Sequence, residues 1–315
     1  MNKRRSFIVG ISSTKLLPSE RSFIKKYKPW GVILFTRNIK SINQTKILTT
    51  SIRKIFNDDK YPILIDQEGG RVNRLKNFIS FDNLTSEFFG KKFINNKRDF
   101  VIYYKLFIDK TSFLLKTMGI NINTSPVLDL RIKGTSNIIG DRSFSNNPKV
   151  VSQIGDYCIK YFQQNGIGTV IKHIPGHGLA KVDSHNYTPT VIKNINYLSK
   201  MDFLAFKNKK TFFAMTAHII FNKIDELNTV TQSHKMIKLI RNKIGFKNIL
   251  ISDDLSMKSL KGNLKKNVIK TFNAGCNLVL HCNGNLKEMK IIAENSPLLN
   301  KFLIKKTSQF YKILS

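Results

Sequence analysis

Short apolar segments and longer segments of helical periodicity alternate along this chain, and the alternation is the strongest constraint on its fold. The apolar segments are rich in β-branched residues and lie at residues 7–11, 31–35, 63–66, 120–127, 169–173, 212–217, 249–253 and 278–282. Segments with apolar residues at three-to-four spacing lie between most of them, most clearly at 45–56, 100–118, 150–165, 233–244 and 264–274. Such alternation predicts a parallel sheet with helices packed on it, and eight repeats favour a closed barrel.

Polar residues directly follow several of the predicted strands. They are Asp66, Asp129, His173, His218 and Asp253. In a (β/α)8 barrel the carboxyl ends of the strands converge on one face, where active sites are built. An open sheet that binds a dinucleotide would need a glycine-rich fingerprint after its first strand, and Gly10 has no glycine partners there.

We therefore predict an α/β protein that forms a single (β/α)8 TIM barrel. No linker rich in Pro, Gly or Ser divides the chain, so one catalytic domain is expected over residues 1–315. Residues 78–96 have the least regular pattern and are expected to form a loop that reaches over the barrel mouth.

The charge is strongly positive, with 53 Lys and Arg against 20 Asp and Glu, a net charge of +33. A charge of this size suggests a polyanionic partner. However, the basic residues are scattered along the chain together with abundant Asn, Ile and Phe, and no recognised nucleic-acid-binding motif is present. We expect no specific nucleic-acid partner, although nonspecific adhesion to anions follows from the charge alone.

The first residues of the chain and its cysteines indicate the cellular compartment. The basic first residues precede an apolar run that is too short for a signal peptide, and we expect a first β-strand there. Three cysteines, Cys158, Cys276 and Cys282, are an odd number without metal-ligand spacing, which favours a reducing cytoplasm. No membrane partner is expected, and a monomer is the simplest expectation.

The densest group of titratable side chains lies in the segment 172–178, Lys-His-Ile-Pro-Gly-His-Gly, which is followed by Asp183 and His185. Histidine titrates near neutral pH, so this segment offers groups for proton transfer. The same residues, His173, His177, Asp183 and His185, are also compatible with a metal site in a barrel. Sequence alone leaves a metal-dependent hydrolase as an alternative.

Two further segments carry carboxylates at strand ends. In the first, residues 66–74, Asp66 can accept hydrogen bonds from hydroxyls and Arg74 can donate a planar fork, a combination that suits a sugar. In the second, Asp253 and Asp254 are adjacent. Successive strand residues point to opposite faces, so one is expected to face the site while the other caps the following helix.

Together these motifs resemble the glycoside hydrolase family 3 β-N-acetylglucosaminidases of bacterial peptidoglycan recycling. The resemblance rests on the segments 66–74, 140–144, 172–178, 183–185, 215–218 and 252–257, in that order along the chain. It implies a (β/α)8 barrel that hydrolyses terminal N-acetylglucosamine from peptidoglycan fragments and needs no cofactor or metal. The implied substrate is N-acetylglucosaminyl-1,6-anhydro-N-acetylmuramic acid, with or without peptide.

The resemblance also implies the role of each site residue. Asp253 matches the nucleophile that forms a covalent glycosyl-enzyme, His185 matches the proton donor and acceptor, and Asp183 matches its dyad partner. The positions that match substrate-binding residues are Asp66, Arg74, Arg142, Lys172 and His173. The acid/base histidine is expected on a mobile loop after the fifth strand, where Gly176 and Gly178 would permit movement.

Two alternatives keep the fold or the charge but change the function. In one, the acetamide of the substrate is the nucleophile and Asp253 and Asp254 assist it. In the other, the chain binds anions and its hydrolase site is vestigial. In the retaining mechanism favoured here, histidine replaces one of the two carboxyl groups of most retaining glycosidases.

Overall fold

The computed structural model describes residues 1 and 3–314, and eight of its parallel strands close into a barrel. The strands in chain order are β1 (Arg5–Gly10), β2 (Pro29–Leu34), β3 (Ile63–Ile65), β4 (Ile122–Asn123), β5 (Gly168–Ile174), β6 (Thr190–Val191), β7 (Phe213–Thr216), β8 (Ile220–Phe221), β9 (Ile249–Asp254) and β10 (Leu278–His281). Around the barrel their order is β1-β10-β9-β7-β5-β4-β3-β2, while β6 and β8 pair separately. The predicted (β/α)8 barrel is therefore confirmed.

Helices form the outer layer of the barrel. They are α1 (Pro18–Tyr27), α2 (Ile42–Phe56), α3 (Ser86–Asn95), α4 (Lys97–Thr117), α5 (Pro148–Gln164), α6 (Ile195–Lys200), α7 (Asp202–Phe206), α8 (His234–Leu239), α9 (Leu264–Ala274), α10 (Leu286–Glu294) and α11 (Lys301–Tyr311). Most begin after an Asn, Ser or Thr whose side chain accepts a backbone N–H of the first turn, as Ser41 does before α2 and Asn300 before α11. The abundant asparagine thus supplies helix caps, each contributing about 1 kcal/mol.

Apolar side chains fill the barrel interior and leave the polar groups at one end. The interior cluster includes Ile33, Val170, Phe213 and Ile251. At the amino ends of the strands, α11 packs Phe310 against this cluster. The indole Nε1 of Trp30 also donates to Thr307 Oγ1 of α11 at 2.9 Å. This end is therefore closed by packing, and the carboxyl ends are left for the site.

The expected loop over residues 78–96 is wrong in its second half, which forms α3. The side chain of Thr85 accepts the N–H of Phe88 and starts the helix. Phe89 and Phe93 then lie on the buried face and pack against Phe100 and Tyr104 of α4. Aromatic residues at i and i+4 lie on one face of a helix. This pattern is hard to recognise here because it spans only two residues within an irregular segment.

The fourth strand is much shorter than the predicted span of 120–127. Only Ile122 and Asn123 form a ladder, and Val127 pairs with Lys172 as an isolated bridge. Pro126 has no N–H to donate, which interrupts the ladder between them. Within the described residues, no helix is long and apolar enough to cross a membrane.

Candidate active site

The carboxyl ends of the barrel strands surround a cavity of about 270 Å³. Seven of the eight predicted site residues line it: Asp66, Arg74, Arg142, Lys172, His173, His185 and Asp253. The eighth, Asp183, lies behind His185 and contacts its ring. Residues from four different strands and their loops therefore meet at one place, as the barrel geometry requires.

Asp66 follows β3 and lies among cations. Lys172 Nζ is 3.0 Å from its Oδ1, Arg74 Nη2 is 3.6 Å from its Oδ2, and the hydroxyl of Thr124 donates to it. Burial disfavours the charged form, but Lys172 and Arg74 outweigh burial and hold the pKa of Asp66 at about 2. Asp66 is therefore a fixed acceptor for hydroxyl groups at neutral pH.

Glu68 lines the cavity and is not among the site residues predicted from the sequence. Its carboxylate binds the guanidinium of Arg142 through two contacts of 2.8 and 2.9 Å and the ammonium of Lys172 at 2.6 Å. The Glu68 and Lys172 side chains are each 3% exposed. Burial opposes ionisation, yet the two cations hold the pKa of Glu68 well below its usual range. Glu68 thus fixes the directions in which two predicted sugar-binding cations point.

Asp129 is the second residue whose role was missed. It follows the short β4, is fully buried, and accepts His173 Nδ1 at 2.6 Å and the backbone N–H of His177 at 2.7 Å. Burial opposes its ionisation, but the two histidines outweigh burial and lower the pKa of Asp129. Because Nδ1 of His173 is occupied, its Nε2 is the nitrogen available to a ligand.

Asp253 is near the end of β9 and faces the cavity. One of its carboxylate oxygens accepts the N–H of Asp254 at 2.8 Å. Burial opposes its ionisation, but His173 and His218 outweigh burial and lower the pKa of Asp253. The carboxylate is therefore ionised at neutral pH, as a nucleophile or an electrostatic stabiliser must be.

The neighbouring carboxylate has a structural role. Asp254 accepts the N–H of Ser256 at 3.0 Å and the N–H of Cys282 at 3.2 Å, which ties the end of β9 to the end of β10. The sequence predicts that one of the pair caps the following helix. It caps a turn instead, because the next helix, α9, begins only at Leu264.

His185 lies on the loop after β5 (residues 175–188), hereafter called the catalytic loop after the role predicted for His185. Asp183 Oδ1 accepts both the backbone N–H and the ring Nδ1 of His185 at 2.8 Å. Burial opposes ionisation of Asp183, but the backbone N–H and the ring of His185 together outweigh burial and lower the pKa of Asp183. The His185 side chain is 61% exposed and that of Asp183 35%. This pair is therefore held mainly by its own short-range contacts.

The glycines of the catalytic loop lie where the chain packs closely. A Cβ at Gly178 would lie 2.2 Å from the carbonyl oxygen of Leu130, and one at Gly176 would lie 2.6 Å from Cβ of Asp202. Gly176 also has a φ of +139°, which other residues rarely adopt. Close packing thus accounts for both glycines in this conformation.

Asp202 itself is 1% exposed, and neither carboxylate oxygen has a partner among the described residues. Burial and the nearby charge of Asp129 raise the pKa of Asp202 to about 7. Below that pH it is a neutral carboxylic acid beneath the catalytic loop.

The histidines of this region are each held by a separate partner. His173 contacts Asp129, His185 contacts Asp183, and His177 Nε2 is 3.0 Å from Ser184 Oγ. Across residues 1 and 3–314, no three His, Cys, Asp or Glu side chains are grouped so that they could hold a metal ion. What the arrangement offers is one ionised carboxylate, one exposed imidazole and a buried network of paired charges.

Residues 9–301 match the family described as "Glycosyl hydrolase family 3 N terminal domain". A β-hexosaminidase of Hydrogenovibrio crunogenus is 30% identical over 307 residues, which are 95% of this chain and 85% of that protein. NagZ of Neisseria gonorrhoeae is similar in structure, with a TM-score of 0.84 in a complex with N-trifluoroacetyl-D-glucosamine (27% identity) and 0.84 in a complex with zinc ion (26% identity). Both alignments cover 98% of this chain and 90% of the neighbour.

The barrel fold, the strand-end carboxylate and the buried network of paired charges suit a glycoside hydrolase. With the family match over most of its length, the chain belongs to glycosyl hydrolase family 3. Its similarity to β-hexosaminidases makes it a β-N-acetylhexosaminidase, and the family resemblance drawn from the motifs is confirmed.

Proposed function

We propose that this chain is a retaining exo-β-N-acetylglucosaminidase in which Asp253 is the nucleophile and His185 the proton donor and acceptor. The observation that carries the proposal is the position of Asp253, an ionised carboxylate in the same cavity as His185 and the buried charge network. The whole chain, residues 1–315, is proposed to act as one catalytic domain.

The proposed reaction has two steps. In the first, a carboxylate oxygen of Asp253 attacks the anomeric carbon while the bond to the leaving oxygen breaks, and His185 Nε2 gives its proton to that oxygen. In the second, His185 takes a proton from water, the water oxygen attacks the anomeric carbon, and the bond to Asp253 breaks. Asp183, on Nδ1, orients the ring and stabilises its charged form.

The terminal sugar is proposed to bind in the buried part of the cavity. Asp66 can accept from sugar hydroxyls, while Arg74, Arg142 and Lys172 can donate to hydroxyl and acetamide oxygens. His173 offers Nε2 because Asp129 holds Nδ1. The cavity is smaller than typical drug-binding pockets, which fits one sugar ring and therefore exo action.

The proposed substrate is a fragment of peptidoglycan, N-acetylglucosaminyl-1,6-anhydro-N-acetylmuramic acid with or without a peptide. The similarity to NagZ, which binds N-trifluoroacetyl-D-glucosamine in one crystal structure, supports a glucosamine derivative as the recognised sugar. Cys158, Cys276 and Cys282 are all free, which suits the cytoplasm, where such fragments would be recycled for cell-wall synthesis, cell shape and division. The enzyme is proposed to act as a monomer, without nucleic acid, membrane or cofactor.

Trapping with a 5-fluoro derivative of N-acetylglucosamine tests the mechanism. The expected result is a stable adduct whose peptide map places the sugar on Asp253, together with hydrolysis of the 1,6-anhydro disaccharide. If no residue carries an adduct and an oxazoline is the product, the result would support attack by the substrate acetamide instead.

Zinc provides the second arm of the test, since a related NagZ has been crystallised with zinc ion. Activity that survives dialysis against a chelator is expected. Loss of activity on chelation, with recovery on adding zinc, would overturn the proposed mechanism in favour of a metal-dependent hydrolase.

A further inference from the structure

The segment after β4, residues 131–142, contributes Ile138, Ile139 and Arg142 to the wall of the cavity and is hereafter called the flap. Arg71, from the loop after β3, reaches the backbone of the flap. Its Nη2 donates to the carbonyl oxygens of Asn137, Ile138 and Ile139 at 2.7, 2.9 and 3.0 Å, and its Nε contacts Asp141 at 2.9 Å. One side chain therefore binds three successive carbonyl groups and a carboxylate of the flap.

Two ion pairs connect the flap to the loop after β3. Glu68 of the loop binds Arg142 of the flap, and Arg71 of the loop binds Asp141 of the flap. The first pair is buried and belongs to the sugar-binding network, whereas the second is partly exposed, at 42% for Arg71 and 36% for Asp141. Arg71 thus adds a second, more exposed connection to a flap whose Ile138 carbonyl oxygen also accepts from Arg142 Nη1 at 3.2 Å.

The flap contacts both the sugar cavity and the catalytic loop. Ile138 and Ile139 line the same cavity as Asp253. On its other edge, the N–H of Ser136 donates to the carbonyl oxygen of Ala180 in the catalytic loop at 2.9 Å. Ala180 is five residues before His185, and its own N–H donates to the carbonyl oxygen of His177. A displacement of the flap would therefore move the residues that precede the acid/base histidine.

We propose that Arg71 is a positioning residue that clamps the flap over the sugar cavity and, through the Ser136–Ala180 contact, sets the position of the loop that carries His185. This inference rests on the proposed role of His185. Arg71 also lines the sugar cavity, but its donors are directed at the flap carbonyls and Asp141, so it is assigned no contact with a reacting atom. Its effect on the reaction is through the placement of two other segments.

The kinetic test compares Arg71→Gln with Arg131→Gln in the full chain. Arg131 is also on the flap, but its ion pair with Glu87 lies away from the sugar cavity. For Arg71→Gln, kcat/KM is expected to fall about tenfold on a 2,4-dinitrophenyl glycoside and about a hundredfold on a 4-methoxyphenyl glycoside, because the second needs a well-placed proton donor. Arg131→Gln should stay within about twofold on both.

Two further measurements separate positioning from general destabilisation. Arg71→Lys keeps the charge without the planar fork, and its activity on the 4-methoxyphenyl glycoside should fall between those of wild type and Arg71→Gln. Hydrogen exchange followed by mass spectrometry should show faster exchange in residues 131–142 and 175–188 of Arg71→Gln, and unchanged exchange in the barrel strands.

Equal losses on the two glycosides, or wild-type exchange in residues 175–188, would overturn the coupling of Arg71 to the catalytic loop. Matching losses in Arg71→Gln and Arg131→Gln would overturn the specific role of Arg71. An inactive wild type would refute the proposed function alone, because the exchange measurement tests the clamp without turnover.

Discussion

The two halves of this site are built in opposite ways. The charges that would hold the sugar are buried and paired with one another, as shown by the 3% exposure of both Glu68 and Lys172. The groups that would move the proton lie on a loop, where His185 is 61% exposed and contacts a carboxylate only two residues away. The first half is supported by the barrel strands, and the second by the local conformation of one loop.

The difference shows how one fold can combine a rigid binding surface with a proton-transfer group that has to approach and leave the substrate. Buried ion pairs fix direction because every member is held by a partner of opposite charge. An exposed histidine retains the freedom and the solvent access that a group alternating between acid and base needs. If this contrast is correct, substitutions in the two halves should affect stability and activity differently.

The largest effect is expected for Asp253→Asn, which removes the proposed nucleophile from the rigid half. The kcat/KM for an N-acetylglucosaminyl glycoside should fall by at least about a thousandfold, because the other carboxylates that line the cavity, Asp66 and Glu68, are held in ion pairs with Lys172 and Arg142. Steady-state kinetics with a chromogenic glycoside measures it.

Asp254→Asn is the matched control, since Asp254 binds backbone N–H groups of the turn. Its activity should remain within about tenfold of wild type. Equal losses in the two variants would favour the alternative in which both carboxylates assist the acetamide of the substrate.

The contrast between the halves is tested most directly by comparing Glu68→Gln with Asp183→Asn. Glu68→Gln leaves Arg142 and Lys172 short of a buried partner and should lower the free energy of unfolding by about 3 kcal/mol. Asp183→Asn should change the free energy of unfolding by less than about 0.5 kcal/mol, yet reduce kcat/KM about tenfold to a hundredfold by disturbing His185.

Urea denaturation and kinetics on the same preparations give both quantities. If Asp183→Asn were the more destabilising of the two, the contrast between a rigid binding half and a locally held catalytic half would be wrong.

Asp202 gives a smaller effect that depends on pH. Its pKa is raised to about 7 in the folded protein, while the unfolded chain should titrate near the ordinary value for Asp. Between these values the folded state holds a proton that the unfolded state has lost, so stability falls as pH rises towards 7 and then levels off.

The Asn side chain of Asp202→Asn does not titrate. The variant should therefore lose the fall in unfolding free energy between about pH 4 and pH 7 that Asp202 causes. Relative to wild type, the variant should gain about 2 to 3 kcal/mol in unfolding free energy between pH 5 and pH 8. Denaturant titrations at the two pH values measure the gain, with Asp59→Asn at an exposed position as the control. An identical pH dependence in wild type and Asp202→Asn would contradict a pKa near 7 for Asp202 in the folded protein.

The barrel could be predicted from the sequence because helical periodicity and apolar β-branched runs are local signals. Each strand and each helix is recognisable from its own segment of the chain. The same holds for residues that follow strands directly, such as Asp66 and Asp253, since strand ends share one face. The length of a strand was harder to predict where its pairing depends on a distant strand, as near Pro126. A helix was harder to predict where its apolar stripe is short, as at Phe89 and Phe93.

Glu68 and Asp129 were missed as site residues for a different reason. Both were visible as carboxylates beside a strand end, but their partners, Arg142 and His173, lie far away in sequence. No local pattern tells which cation a buried carboxylate will meet. A useful rule is that every predicted sugar-binding cation needs a buried counter-charge, and the nearest unassigned strand-end carboxylate is the first candidate.

The central claim is that Asp253 and His185 divide the chemistry between the rigid and the exposed half. A series of aryl N-acetylglucosaminides with leaving groups of increasing pKa, assayed with wild type and His185→Ala, tests it most directly. The account predicts a shallow dependence of kcat/KM on leaving-group pKa for wild type and a steep one for His185→Ala. The variant's loss should grow from about tenfold for the most acidic leaving group to at least about a thousandfold for the least acidic. Parallel dependences for the two enzymes would contradict the assignment of proton transfer to His185.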